Sequence, residues 1–250
     1  MNKLARSTMA DGEETARVAI IAVWIGLIAT IIFTTLPSID LAVSQLFLNE
    51  DGKFIMAKSD FWRTLRTITL RAFAVWYVAI IVCGLWARNA NAPILQLTWP
   101  KWLYLAICSI IGPLLLTNVI LKEFWGRWRP REVEGLGGEE QFTSPLDISG
   151  TCADNCSFVS GEVSSMVMIF ISLAFVSTAM RPLFYGLTIG MGAFSALIRV
   201  GQGGHFLSDT LFAASLMTLV AAGIYWLMFL GKHPAATEND VHWKRKISRG

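Results

Sequence analysis

The run 18–36 holds no charged residue, and comparable apolar blocks recur along the rest of the chain. About 20 residues at 1.5 Å each cover the hydrocarbon core of a bilayer, so such blocks admit few folds other than a bundle of spanning helices. With 54% of the 250 residues hydrophobic and 16% charged, the composition agrees. It excludes a disordered chain, a small disulfide-knotted secreted domain and an ordinary cytosolic enzyme. A net charge of +3, concentrated in the tails and one short loop, implies no nucleic-acid groove.

Six spans are predicted, over 18–36, 70–87, 102–121, 163–180, 183–198 and 210–230. Only Arg181 and Pro182 join the fourth to the fifth, which makes those two helices antiparallel neighbours. Between the first two spans, Phe61, Trp62, Leu65 and Ile68 recur at helical spacing among Arg63, Arg66 and Arg71, the pattern of a helix lying along the membrane surface. The expected fold is therefore all-α, an integral membrane bundle of six transmembrane helices. Residues 1–17 form a cytoplasmic tail, 18–230 the membrane domain and 231–250 a basic cytoplasmic tail. Basic tails point to the cytoplasm, giving N-in and C-in, and the loops after spans one, three and five then share the outer face.

Two of those outer loops, with the turn that opens span four, hold most of the chemistry. The loop after span three begins with Lys122, Arg127, Arg129 and Arg131, four cations within ten residues at the mouth of an apolar bundle. Alone, such a cluster is as readily a snorkelling belt beside the interfacial Trp125 and Trp128. Ser160 and Gly161 open span four, where a helix start offers free N–H groups, a hydroxyl and no obstructing side chain to an anion, or simply an N-cap. After span five come Arg199, a glycine-rich turn, His205 and Asp209. Four residues apart on a helix, Asp209 would accept a proton from one imidazole nitrogen and leave the other as a nucleophile; the plainer alternative is a structural His–Asp pair. Cations, backbone N–H groups and an oriented imidazole on one side of a membrane suit phosphoryl transfer. His233 and His242 lie in the opposite tail, and Cys152 and Cys156 lack zinc-type partners, so no metal and no cofactor are expected.

In these residues the chain resembles the type 2 phosphatidic acid phosphatase superfamily of integral-membrane lipid phosphatases. Lys122, Arg129 and Pro130 match its first motif, a lysine, six residues and Arg-Pro. Arg199, His205 and Asp209 match its third, an arginine, five residues, a histidine, three residues and an aspartate. The resemblance implies that Lys122, Arg129, Arg199, Ser160 and Gly161 bind phosphate, that His205 forms a phosphohistidine and that Asp209 orients it. The second motif departs from the pattern, since Glu162 stands where the superfamily carries a histidine. Glu162 is expected to replace it as the acid that protonates the leaving oxygen, the alternatives being a carboxylate that pairs with an arginine and a damaged site.

The resulting expectation is a metal-independent lipid phosphatase of a bacterial inner membrane, working at the periplasmic face on a phosphorylated lipid in the bilayer, with no obligate protein partner. Lipid A is the first substrate expected, because the acidic loop that includes Glu132, Glu134, Glu139 and Glu140 would accommodate a sugar head group. Undecaprenyl diphosphate, phosphatidylglycerol phosphate and transfer of the phosphate to another lipid remain open. Cys152 and Cys156 are expected to form either a disulfide that stiffens the turn before Ser160 or two free thiols.

Overall fold

The computed structural model describes residues 3–148 and 151–231, with side chains from Ala10 onward. The expected basic tail, with His233 and His242, falls outside the described residues except for Gly231. All regular secondary structure among the described residues is helical. Five helical stretches are long and apolar enough to cross a membrane: Ala10–Thr35, Asp60–Asn89, Trp99–Phe124, Arg181–Gly201 and Leu207–Leu230.

Helix α1 (Lys3–Thr35) carries the first of these and takes in most of the polar segment ahead of it. Two short helices follow, α2 (Ser38–Gln45) and α3 (Ile55–Lys58). Helix α4 (Asp60–Asn89) joins the basic segment expected along the surface to the second span in one rod, since no proline or turn cluster interrupts it. Phe61 and Ile68, part of the apolar pattern read as a helix along the membrane surface, are exposed. The third stretch starts as α5 (Trp99–Ser109) and widens to π-helical turns over Ile110–Leu121 around Pro113. Proline has no N–H for the i−4 bond, and the Asn118 side chain donates to the Pro113 carbonyl at 2.7 Å. The short α6 (Lys122–Phe124) ends it.

Helix α7 (Gly161–Val176) is shorter than the span expected over 163–180. Its 16 residues reach about 24 Å at 1.5 Å each. Two cations close it early: Arg181 Nε donates to the Ala174 carbonyl at 3.2 Å and Lys101 Nζ to the Val176 carbonyl at 2.9 Å. Cations are favoured against the last carbonyls of a helix. Helices α8 (Arg181–Gly201) and α9 (Leu207–Tyr225, widened over Trp226–Leu230) complete the chain.

The short helix α7 is the axis of the bundle. Helices α5, α8 and α9 pack around it, and most of its residues are buried. Tyr104, Cys108, Phe158, Met168, Phe175 and Met217 fill the interior. Outward faces carry large apolar side chains, including Trp24 and Ile31 on α1, Val75 and Val78 on α4 and Ile189 on α8. A soluble protein would not tolerate so continuous a coat, which is the surface of a membrane protein. At one end, Phe54, Val133, Leu136 and Phe206 form a second, smaller core that packs the loops over the helix ends.

Candidate active site

Beneath those loops lies a cavity of about 270 Å³ lined by Lys122, Arg129, Gly161, Glu162, Arg199 and His205. The three separated segments therefore converge, and α4 adds a fourth wall through Arg66, Leu70 and Phe73. Of the four cations after the third span, Lys122 and Arg129 face the cavity. Arg131 is exposed and Arg127 is fully buried in the opposite direction.

His205 is 2% exposed, and its Nδ1 lies 2.6 Å from the Ser157 carbonyl. A carbonyl oxygen only accepts, so Nδ1 carries the ring proton and Nε2 keeps its lone pair. Burial is the largest influence on this imidazole and, with the charges of Arg199 and Lys122, pushes its pKa down to about 3 against the opposing pull of Asp209. His205 is thus a neutral imidazole on the wall of a cationic cavity.

Asp209 reaches His205 by a route that sequence spacing does not convey. His205 precedes α9, and the extended Phe206 between them removes the helical i, i+4 geometry. Asp209 Oδ2 is 3.8 Å from Nδ1, beyond a hydrogen bond. That oxygen instead accepts the Ser157 hydroxyl at 2.5 Å and the Phe206 N–H at 2.8 Å. Asp209 therefore fixes Ser157, and the Ser157 carbonyl fixes the imidazole.

Behind Asp209, Arg127 is clamped between two carboxylates. Its Nη1 donates to Asp209 Oδ1 at 2.5 Å and its Nη2 to Asp40 Oδ2 at 2.9 Å, while Nε donates to the Thr143 carbonyl at 3.0 Å. The guanidinium stacks 4.3 Å over the Phe206 ring. Asp40, from α2, also accepts the Ser208 N–H at 3.0 Å and its hydroxyl at 2.5 Å; burial raises its pKa above the ordinary carboxylate range while Arg127 opposes the rise. No local pattern singled out Asp40, Ser157 or Ser208, because their partners are distant in sequence.

The phosphate-binding candidates are held by dedicated contacts. Arg129 donates from Nε and Nη2 to the Asn155 carbonyl at 3.0 and 2.5 Å. Burial and the neighbouring Arg131 lower its pKa. Asn155 sits inside the loop closed by a Cys152–Cys156 disulfide, whose Cα atoms are 5.9 Å apart. Arg199 Nη1 donates to Gln202 Oε1 at 3.1 Å, and its guanidinium lies against Gly204, where a Cβ would collide with it. Ser160 occupies the N-cap of α7 without making a capping bond, and its buried hydroxyl has no partner among the described residues. A Cβ on Gly161 would stand 2.9 Å from Asn118 Oδ1 and 3.1 Å from Lys122 Nζ, so glycine is what lets the lysine close on the helix N-terminus.

Glu162 is engaged by two arginines. Its Oε1 is 2.8 Å from Arg66 Nε and 3.4 Å from Arg199 Nε, the geometry of a carboxylate shared by two guanidiniums. This is the arginine-pairing arrangement. Arg66, read from the sequence as part of a surface helix, is a cavity residue. Among the described residues no three His, Cys, Asp or Glu side chains gather as a metal site.

Fold and cavity together define an all-helical membrane protein with a cationic cavity, walled in part by a neutral imidazole, at one end of its bundle. The family model of the PAP2 superfamily matches residues 101–232, and the chain belongs to that superfamily. Lipid A 4'-phosphatase of Rhizobium etli is 35% identical over 242 residues, covering 88% of this chain and 87% of that protein. Lipid A 4'-phosphatase of Rhizobium leguminosarum is 30% identical over 237 residues, 88% and 96% of the two chains. That of Francisella tularensis subsp. novicida is 30% identical over 208 residues, 82% and 92%. No solved structure matches the chain.

Proposed function

We propose that this protein is a lipid A 4'-phosphatase, a multi-pass protein of a bacterial inner membrane that works at the periplasmic face through a phosphohistidine. The observation that carries the chemistry is the neutral His205 on the wall shared by Lys122, Arg129 and Arg199. The substrate assignment rests on the three relatives of that name, each matched over most of its length. In this reading α7 crosses as the sixth member of the bundle, both termini are cytoplasmic, and the cavity opens outward. An oxidising compartment on that side suits the Cys152–Cys156 disulfide.

The 4'-phosphate enters among Lys122, Arg129 and Arg199, with the Ser160 hydroxyl and the first N–H groups of α7 as further donors to its oxygens. Nε2 of His205 bonds to phosphorus as the bond to the sugar oxygen breaks, and the sugar oxygen takes a proton from water so that the sugar leaves as its alcohol. The imidazolium that forms shares its Nδ1 proton with the Ser157 carbonyl, held in place by Asp209. Water then attacks the phosphohistidine, releasing inorganic phosphate and restoring the neutral ring. Glu162 is assigned to holding Arg66 and Arg199 in the resting site.

The test is phosphate release by purified protein in detergent, with a chelator present, from lipid A, undecaprenyl diphosphate and phosphatidylglycerol phosphate. Release from the 4'-position of lipid A is expected, together with its loss and the loss of acid-labile protein phosphate in His205→Ala. Preferential turnover of either other lipid, or persistent release by His205→Ala, overturns the reading.

A further inference from the structure

We infer that Arg66 is a phosphate-binding residue contributed from outside the family's three motifs, and that its pairing with Glu162 offsets the carboxylate this chain carries in the second motif. The inference rests on the proposed phosphate site and adds a residue to it.

The placement of Arg66 follows from the face of α4. Arg66, Leu70 and Phe73 lie at i, i+4 and i+7, on one side of the helix, and all three line the cavity. Arg66 is therefore the first residue of this stripe to line the cavity; Arg63, one turn earlier on the stripe, is exposed outside the lining, and Arg71 is exposed on another face. Its Nε donates to Glu162 Oε1 at 2.8 Å, and no described residue accepts a hydrogen bond from its Nη1 or Nη2. Two guanidinium nitrogens with four N–H bonds thus stay available beside Lys122, Arg129 and Arg199. Side-chain exposures of 39% for Arg66 and 13% for Glu162 place the pair across the mouth, with the arginine toward the outside.

Charge explains why the two residues belong together. A carboxylate lining a phosphate site repels a dianion, and here it replaces a residue that in the superfamily is an imidazole. Without a matching cation, Glu162 would weaken every phosphate contact around it. Arg66 and Arg199 share that carboxylate, which leaves the cavity with three further cationic contributions once the Glu162 charge is balanced. Arginine suits both tasks, since its planar fork can bond a carboxylate through one edge and a phosphate oxygen through another.

A simple structural latch between α4 and α7 would make both partners equally necessary, whereas charge balance gives them opposite signs. The experiment measures the dissociation constant of inorganic phosphate by calorimetry, without turnover, for the full chain and for Arg66→Gln, Arg66→Lys, Glu162→Gln and the Arg66→Gln/Glu162→Gln double variant. Arg66→Gln is expected to weaken binding about 10- to 100-fold, the range set by one charge-assisted hydrogen bond. Glu162→Gln is expected to tighten binding, Arg66→Lys to retain most of it, and the double variant to lie closer to the parent than Arg66→Gln does. Unchanged affinity in Arg66→Gln overturns the inference, as does a loss in Glu162→Gln equal to that in Arg66→Gln. The same outcome follows if the parent binds no phosphate. A parent that binds phosphate with this pattern yet hydrolyses no lipid phosphate overturns the proposed function and leaves the inference standing.

Discussion

Reducing the Cys152–Cys156 disulfide should impair the site well beyond its effect on the fold. The bridge closes a loop of sequence separation 4, and inside it the Asn155 carbonyl accepts both bonds from Arg129. The next residue is Ser157, whose carbonyl fixes His205 and whose hydroxyl bonds Asp209. Chain-entropy estimates assign a loop of this size about 2 kcal/mol of restricted freedom. If that freedom returns locally, presentation of Arg129 and His205 weakens by up to about 30-fold, since 1.4 kcal/mol is a factor of ten. The assay is kcat/KM for phosphate release before and after treatment with a phosphine reductant, with mass spectrometry confirming the gain of two hydrogens. Cys83 and Cys108, the free cysteines, are replaced by alanine so that only this pair responds. A fall in kcat/KM approaching 30-fold is expected, with recovery on reoxidation. Fully reduced protein whose kcat/KM stays within twofold of the oxidised value refutes the argument that the bridge positions Arg129 and His205.

Two further predictions concern buried charge. Arg127→Met leaves Asp40 and Asp209 without their shared cation, and breaking a buried pair costs about 3–5 kcal/mol. The apparent unfolding temperature in detergent should fall by about 10 °C, and an unchanged value would show that the clamp contributes no stability. For His205, a folded pKa of about 3 against the ordinary 6.5 means that only the unfolded imidazole takes up a proton in that interval. Its contribution to stability is therefore complete above pH 6.5 and is lost as pH falls toward 3. Ring ¹⁵N shifts assigned with His205→Ala should show a neutral imidazole at pH 5, and a titration midpoint between 6 and 7 would contradict the burial argument.

Much of the site could be read from the chain because the relevant residues lie at fixed spacings within short segments. Lys122 and Arg129 share one helix end and the loop after it, while Arg199 and His205 bracket one tight turn, so local backbone geometry carries them to the cavity. Contacts across long separations left no such trace. Arg66 lies 96 residues from Glu162, and Asp40 lies 168 from Ser208. Periodicity assigned the segment around Arg66 by its apolar residues, but in a bilayer an apolar face can be an outer one, as Phe61 and Ile68 demonstrate. The route from Asp209 through Ser157 to His205 left no trace in the spacing for a related reason: the helix starts after the histidine, and spacing cannot show where the first turn begins. Hydropathy placed α7 correctly in order but overran its end, which is set by two cations from neighbouring segments.

The clamp on Arg127 also bears on what counts as a minimal working fragment. The stretch that the family model matches begins at residue 101, yet Asp40, which completes the clamp, belongs to α2, and Phe54, which packs on the Gly203 turn, belongs to the segment after it. Excising the recognisable portion would strand a buried guanidinium and uncover the hairpin that carries the imidazole. The first hundred residues are structural partners of the proposed active site, and grafts between relatives should move them together with it.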